Sequence, residues 1–190
     1  MQTISKQTTT KEEQDVWFAM SATYNRALKA QDFLRTNDVE CFVPMRYEII
    51  TDRSNKKSKC LVPAVRNLIF AHCCKSRIQA LKSQLGYLQY LTKPQDGRNV
   101  PIIVPHKQME QFISVCETHN NNLVYLSPEE ANLNHGTHVR ITGGPFDGVE
   151  GKYVKIEKKR NKCVAIEVEG VTTILITQLN DALLQVLDKD

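Results

Sequence analysis

The chain has 190 residues, 41% of them hydrophobic, with 25 Lys and Arg against 21 Asp and Glu and a formal net charge of +4. That length accommodates one large domain or two small ones, each able to bury a core. The opening MQTISKQTTTKEEQ is polar and no later apolar run approaches membrane-spanning length, so a soluble, cytoplasmic protein with no membrane partner is expected, its residues 1–15 a disordered tail.

Val16–Ala22 (VWFAMSA) reads as a short apolar strand. A helix follows in NRALKAQDFLRTND, with Ala27, Ala30 and Leu34 at helical spacing, Asn25 placed to cap its start and Asn37-Asp38 to end it. Val39–Ile50 and Lys59–Cys73 read as two long strands joined by the charged TDRSNKKS, an antiparallel pair. KSRIQALKSQ suggests a second helix and GYLQYLTK another strand. In VPHKQMEQFISVCETH, residues Met109, Phe112, Ile113 and Cys116 fall at i, i+3, i+4 and i+7, the apolar stripe of a third helix.

Residues 120–135 are Asn-rich and lack sustained periodicity, which is linker composition. It divides an N-terminal domain, residues 16–119, from a C-terminal one, residues 136–190. The second domain carries five short strands, His138–Thr142, Val149–Glu157, Cys163–Val168, Thr172–Thr177 and Ala182–Leu187, enough for a small closed or nearly closed β-barrel. Four of the chain's eight Gly fall between Gly143 and Gly151, flanked by the alternating strands of GTHVRI and KYVKI. Such density marks a strand-turn-strand unit with a tight turn and close backbone approach.

Charge is divided along the chain. Residues 1–127 hold 17 Lys and Arg against 11 Asp and Glu, net +6, while residues 128–190 hold 8 against 10, net −2. Only the first part has the balance of a nucleic-acid neighbour. The KKRNK run, Lys158 to Lys162, reads as a charged turn that discourages edge pairing. The six Cys are scattered without paired metal spacing and read as reduced core thiols, so no metal and no cofactor is expected. His72 and Cys73, as strand neighbours, project to opposite faces and do not form a catalytic pair, and no P-loop or dinucleotide fingerprint is present.

The sequence VRI-TGGPFDGVEG-KYVKI resembles the KOW motif of SH3-like barrels, with Gly144, Pro145, Phe146 and Gly151 as the matching residues. Upstream, VWFAMSATYNRALKA resembles the first strand and helix of NusG-type N-terminal domains, an aromatic pair followed by a Tyr and a basic helix. PAVRNLIF, Pro63 to Phe70, occupies the place of that family's Pro-Leu-Phe-Pro-Gly-Tyr-Val-Phe signature, with Arg66 for Pro, Asn67 for Gly and Leu68 for Tyr. VPIIVPHKQMEQFI resembles its closing helix. The order of these segments, from about Val16 to Leu187, identifies the chain as similar to NusG-family elongation factors, and closer to the UpxY-type antiterminators of polysaccharide loci than to housekeeping members.

The resemblance implies an α+β fold: an antiparallel sheet flanked by helices, then an SH3-like KOW barrel. It implies a non-enzymatic, monomeric factor that binds the clamp helices of RNA polymerase and promotes processive transcription of a polysaccharide operon. Leu68 and Phe70, which share one side of their strand, and Tyr90 are the implied polymerase contacts. The same Leu68 and Phe70 fit a core strand equally well. Arg77, Gln79 and Lys82 on the second helix are the implied contacts to non-template DNA in the transcription bubble, and also fit an ordinary solvated face. The barrel would recruit a ribosomal protein or a termination factor. Two competing readings are a ribosome-associated KOW protein that binds RNA and a thiol-dependent enzyme using Cys73 or Cys74.

Overall fold

A computed structural model of the chain describes residues 13–128, 130–131, 136–155, 162–180 and 183–187. Residues 1–12 of the expected tail and most of the KKRNK turn lie outside the described residues. In chain order the first half is built from β1 (Val16–Ala22), α1 (Ala27–Thr36), β2 (Glu40–Phe42), β3 (Met45–Thr51), β4 (Lys57–Pro63), β5 (Leu68–Cys73), α2 (Lys75–Gln84), β6 (Leu88–Tyr90), β7 (Thr92–Gln95), β8 (Arg98–Pro101), β9 (Ile103–Val104) and α3 (His106–Glu117). The second half adds β10 (Leu123–Leu126), β11 (Thr137–Ile141), a single 3-10 turn at Gly144–Phe146, β12 (Glu150–Lys155), β13 (Lys162–Val168), β14 (Thr172–Ile176) and β15 (Leu184–Val186).

The apolar residues of β1 on both faces are those of a strand covered from two sides. It lies inside an antiparallel sheet of order β2-β5-β1-β6, with β9 also paired to β1. The register sets Ala19 opposite Phe70, Ser21 opposite Leu68, and Phe42 opposite Phe70. Residues opposite one another share a face, and neighbours along a strand do not. One face, with Phe18, Met20, Ile69 and Ala71, packs on Ala27, Ala30 and Leu34 of α1 and on Ile78 and Leu81 of α2. The other, with Trp17, Ala19, Leu68 and Phe70, packs on Met109, Phe112 and Cys116 of α3, and the same core continues into Val139, Ile141, Val164 and Ile166 of the second half. Full burial of one such Phe stabilises the fold by about 2–3 kcal/mol relative to exposure.

Both long strands expected between Val39 and Cys73 are broken. Pro44 separates β2 from β3, and Asn67, at φ +63, turns the chain from β4 into β5. β3 and β4 form a two-stranded ribbon of their own, from Met45 opposite Pro63 to Thr51 opposite Lys57. The Asp52 carboxylate closes its tip by accepting from the backbone N–H groups of Ser54 and Lys56. A second ribbon, β7 with β8, turns at Asp96-Gly97, both in the left-handed region at φ +49 and +74, the geometry a two-residue hairpin of this type favours.

One cap differs from expectation, and another is unforeseen. Asn25 does not cap α1: its own φ is +57, and its side chain bonds across to the β4–β5 loop. At the start of α2, the Glu13 carboxylate accepts from the Ser76 N–H at 2.8 Å. That bond is the first cause holding Glu13 below the usual carboxylate range.

The stretch read as linker contains β10, which pairs with β14 from Leu123 opposite Ile176 to Leu126 opposite Thr173. Leu123 and Tyr125 pack against the shared core, so LVYL is an apolar strand lying inside Asn-rich surroundings. The C-terminal sheet has the order β10-β14-β13-β12-β11-β15, a meander of the expected strands in which the last returns to pair with the first. Its Gly-rich turn has two causes. Gly144 sits at φ +74 as the chain enters the turn that buries Phe146, and Gly151 lets β12 approach β13, because a Cβ there would stand 2.6 Å from the Ala165 carbonyl oxygen.

Candidate functional site

Leu68 and Phe70 are 3% and 0% exposed. The Phe112 ring of α3 meets Phe70 at 5.5 Å between centroids and meets Phe42 at 6.2 Å, both edge-on. Ile69, pointing the other way, is equally buried under α1 and α2. β5 therefore presents no apolar face to solvent in this conformation. Tyr90 does not join Leu68 and Phe70: it stands opposite Met20 and packs on Phe18, on the α1 and α2 side of the sheet.

On that side Tyr90 meets two of the three residues expected to touch DNA. Its hydroxyl donates to Gln79 Oε1 at 3.3 Å, and Lys82 Nζ lies 5.5 Å from its ring centroid, a cation over a π face. Burial, with Cys73 nearby, pushes the Tyr90 hydroxyl pKa up. Arg77 is turned away from this group. Its Nη2 donates to the Asn37 carbonyl at 2.6 Å, satisfying an acceptor at the C-terminus of α1, where a cation is electrostatically favoured. Arg77 thus ties the two helices together.

α3 is held to the C-terminal sheet by side-chain amides. Gln108 Nε2 donates to the Glu167 carbonyl at 2.7 Å, and Gln111 Nε2 donates to the Glu150 carbonyl. The Glu150 side chain is paired with Arg140, whose hydrogen bond is the first cause of a lowered carboxyl pKa. At the start of α3, His106 lies 5.6 Å from His72, whose ring stacks on Trp17 at 4.8 Å and bonds Glu40 through Nδ1 at 2.7 Å.

Cys73 and Cys116 are poor nucleophiles. Burial pushes Cys73 up to about 11 and Cys116 up to about 12, so both are neutral near pH 7. His72 projects from the face opposite Cys73 and is already bonded to Glu40, so it is not placed to act as a base for Cys73.

Two surface features have no counterpart in the sequence pattern. The β3–β4 ribbon exposes Tyr47, Ile49, Ile50 and Leu61, with Lys59 Nζ 4.2 Å over the Tyr47 ring, and a cavity of about 340 Å³ opens at its base between Arg46, Glu48 and Asn120. At one end of the main sheet, Tyr24, Arg26, Arg66 and Tyr87 converge from three loops. Period-two and helical spacing carry no signal for residues that meet only through loops.

A family model described as NusG, transcription termination factor, matches residues 15–113 of the chain. No curated protein matches it. Among solved structures, one of NusG from Thermotoga maritima, described as "Domain interaction in Thermotoga maritima NusG", is similar at 14% identity and a TM-score of 0.47, over 92% of this chain and 98% of that one.

Proposed function

The chain belongs to the NusG family of transcription factors, whose members bind RNA polymerase, and from that premise we propose that it promotes processive elongation and antitermination at a polysaccharide operon. The observation that carries this reading is the N-terminal half itself, matched to the family over residues 15–113 and folded as one antiparallel sheet between helices. The work is done in the cytoplasm by binding alone. Free energy of association is spent on one conformational state of the polymerase, which shifts its population away from pausing.

In this reading the clamp helices of the polymerase take the apolar face that carries Leu68 and Phe70. That face is covered by α3 and the C-terminal sheet, so engagement requires the cover to lift. The amide bonds from Gln108 and Gln111 are the polar part of the latch. Gln79 and Lys82, gathered by Tyr90, face non-template DNA, where Lys82 neutralises phosphate. The freed C-terminal sheet, with Gly144, Pro145, Phe146 and Gly151 shaping its KOW turn, recruits a ribosomal protein or a termination factor. The test is capture of core RNA polymerase by the full chain beside the Gln108→Ala, Gln111→Ala variant. The wild type binds, and the loosened variant binds several-fold more tightly. Tighter binding by the wild type would rule out the latch.

A further inference from the structure

β3 pairs with β4 alone, and among the described residues no backbone hydrogen bond to another strand closes its second edge. The outer edges of the two strands differ in their residues. β4 carries Lys57, Lys59 and Pro63, which discourage further pairing. β3 contains neither Lys nor Pro, and its Tyr47, Ile49, Ile50 and Thr51 are residues that suit a strand. Ile49 is 69% exposed, and Tyr47, Ile50 and Leu61 are exposed as well. Tyr47 stands opposite Leu61 and Ile49 opposite Lys59, so these four share one face of the ribbon. The cavity at its base lies along the unguarded strand. Four consecutive residues of β3, Met45 to Glu48, line it, and because successive side chains point to opposite faces, what they present in common is the side of the strand. The rest of the lining comes from His119 to Asn121, Leu123 and Tyr125.

Charge narrows the kind of strand that fits. From Met45 to Pro63 the chain holds five Lys and Arg against two Asp and Glu. Both acids are engaged, Glu48 with Arg46 and Asp52 with the N–H groups of the tip. Among the described residues Lys56, Lys57 and Lys59 have no carboxylate within ion-pair distance, and Lys59 Nζ reaches over the Tyr47 ring of β3. We propose that β3 takes up an extended acidic segment of a partner protein as a third strand of the ribbon, its main chain bonded to the free edge and one side chain set in the cavity. Apolar residues at alternate positions of that segment cover Tyr47 and Ile49, and its carboxylates neutralise the lysines. A second copy of this chain is a poor occupant, because it brings the same excess of positive charge against the first. A nucleic-acid strand would neutralise the lysines, yet it has no apolar side chains to cover Ile49 and no peptide groups to extend the ladder. The ribbon is a sheet of its own, so this partner is distinct from the polymerase contacts proposed above.

The test is fluorescence anisotropy of the full chain with a labelled peptide, Glu-Ile-Glu-Val-Glu-Ile-Glu, blocked at both ends. It should bind, and bind less tightly as salt rises. The counterpart with Lys in place of Glu should not bind, nor should a peptide of the same composition with its acids grouped at one end. Two further peptides carry methyl groups on backbone nitrogens, one at its Ile and Val residues and the other at its Glu residues. Successive N–H groups of a strand point to opposite edges, so only one set faces β3. One methylated peptide should therefore lose binding while the other keeps it. Lys59→Glu should weaken binding about tenfold, and Ile49→Ser should weaken it several-fold. Unchanged thermal midpoints check that both variants fold, as substitution at such exposed side chains allows. Failure of the acidic peptide to bind would overturn the proposal, as would equal binding by the two methylated peptides. A dT strand that displaces the acidic peptide would assign the ribbon to nucleic acid, and self-association of the chain that the peptide reverses would assign it to a second copy. Either result also contradicts the proposal.

Discussion

The Phe70 ring on β5 and the Phe112 ring on α3 meet at 5.5 Å with 62° between their planes, inside a core that reaches from the main sheet to the C-terminal strands. This contact makes a strand expected to be a candidate binding surface into a structural one while the cover is in place. Leu68→Asp with Phe70→Asp is therefore expected to unfold the chain, since two carboxylates would be placed in a core with no partner. Phe70→Ala alone should cost about 3–5 kcal/mol. Denaturant unfolding followed by circular dichroism measures both. A folded double variant of native stability would show that the α3 side of the sheet opens readily.

Alkaline stability follows from the buried thiols. Cys73 and Cys116 are held near 11 and 12 against an ordinary value near 9. Between those limits the unfolded chain has lost protons that the folded chain keeps, so stability is fully present below about pH 9 and falls as pH rises toward 11 and 12. Replacing Cys116 by Ala should flatten the fall of the thermal midpoint over that window. At pH 8 a thiol reagent should label Cys60 and Cys74, which are partly exposed, well before the four buried thiols.

Much of the fold is legible in the residues. The spacing of Ala27, Ala30 and Leu34 and of Met109, Phe112 and Cys116 marks helices that bury those stripes, and the C-terminal strands alternate or run apolar as their layers require. The candidate site is much less so, for a physical reason. Leu68-Ile69-Phe70 is apolar on both sides, so nothing local tells which side another layer covers. Tyr90 is assigned to a face only by its register with Met20, a relation between distant segments. Asn25 looks like a cap until Asn67 and Arg66 are seen to claim it. The LVYL strand is hidden because its pairing partner, β14, lies far along the chain.

β10 gives a direct comparison of boundaries. A C-terminal fragment beginning at Asn120 keeps the edge strand on β14, and one beginning at Gly136 does not. The longer piece should be more stable by about 2–4 kcal/mol, from the burial of Leu123, Tyr125 and Leu126. Equal urea midpoints would show that the strand adds nothing to the sheet.

Gly151 in β12 and Gly148 in the turn before it should respond differently to Ala. At Gly151 the new Cβ meets backbone, the Ala165 carbonyl oxygen at 2.6 Å, so strands must separate, at a cost of about 2–3 kcal/mol. At Gly148 the space is open but φ is +80, so only backbone strain of about 1 kcal/mol is expected. Thermal unfolding of the two variants ranks them.

Antitermination itself is measured by transcribing a template with an intrinsic terminator downstream of the native promoter, using purified core polymerase and its initiation factor with and without the full chain. The chain is expected to bind the elongating complex and to raise the fraction of transcripts that pass the terminator, and loosening Gln108 and Gln111 should raise it further. A chain that neither associates with the polymerase nor alters read-through on its native template would contradict the proposed function.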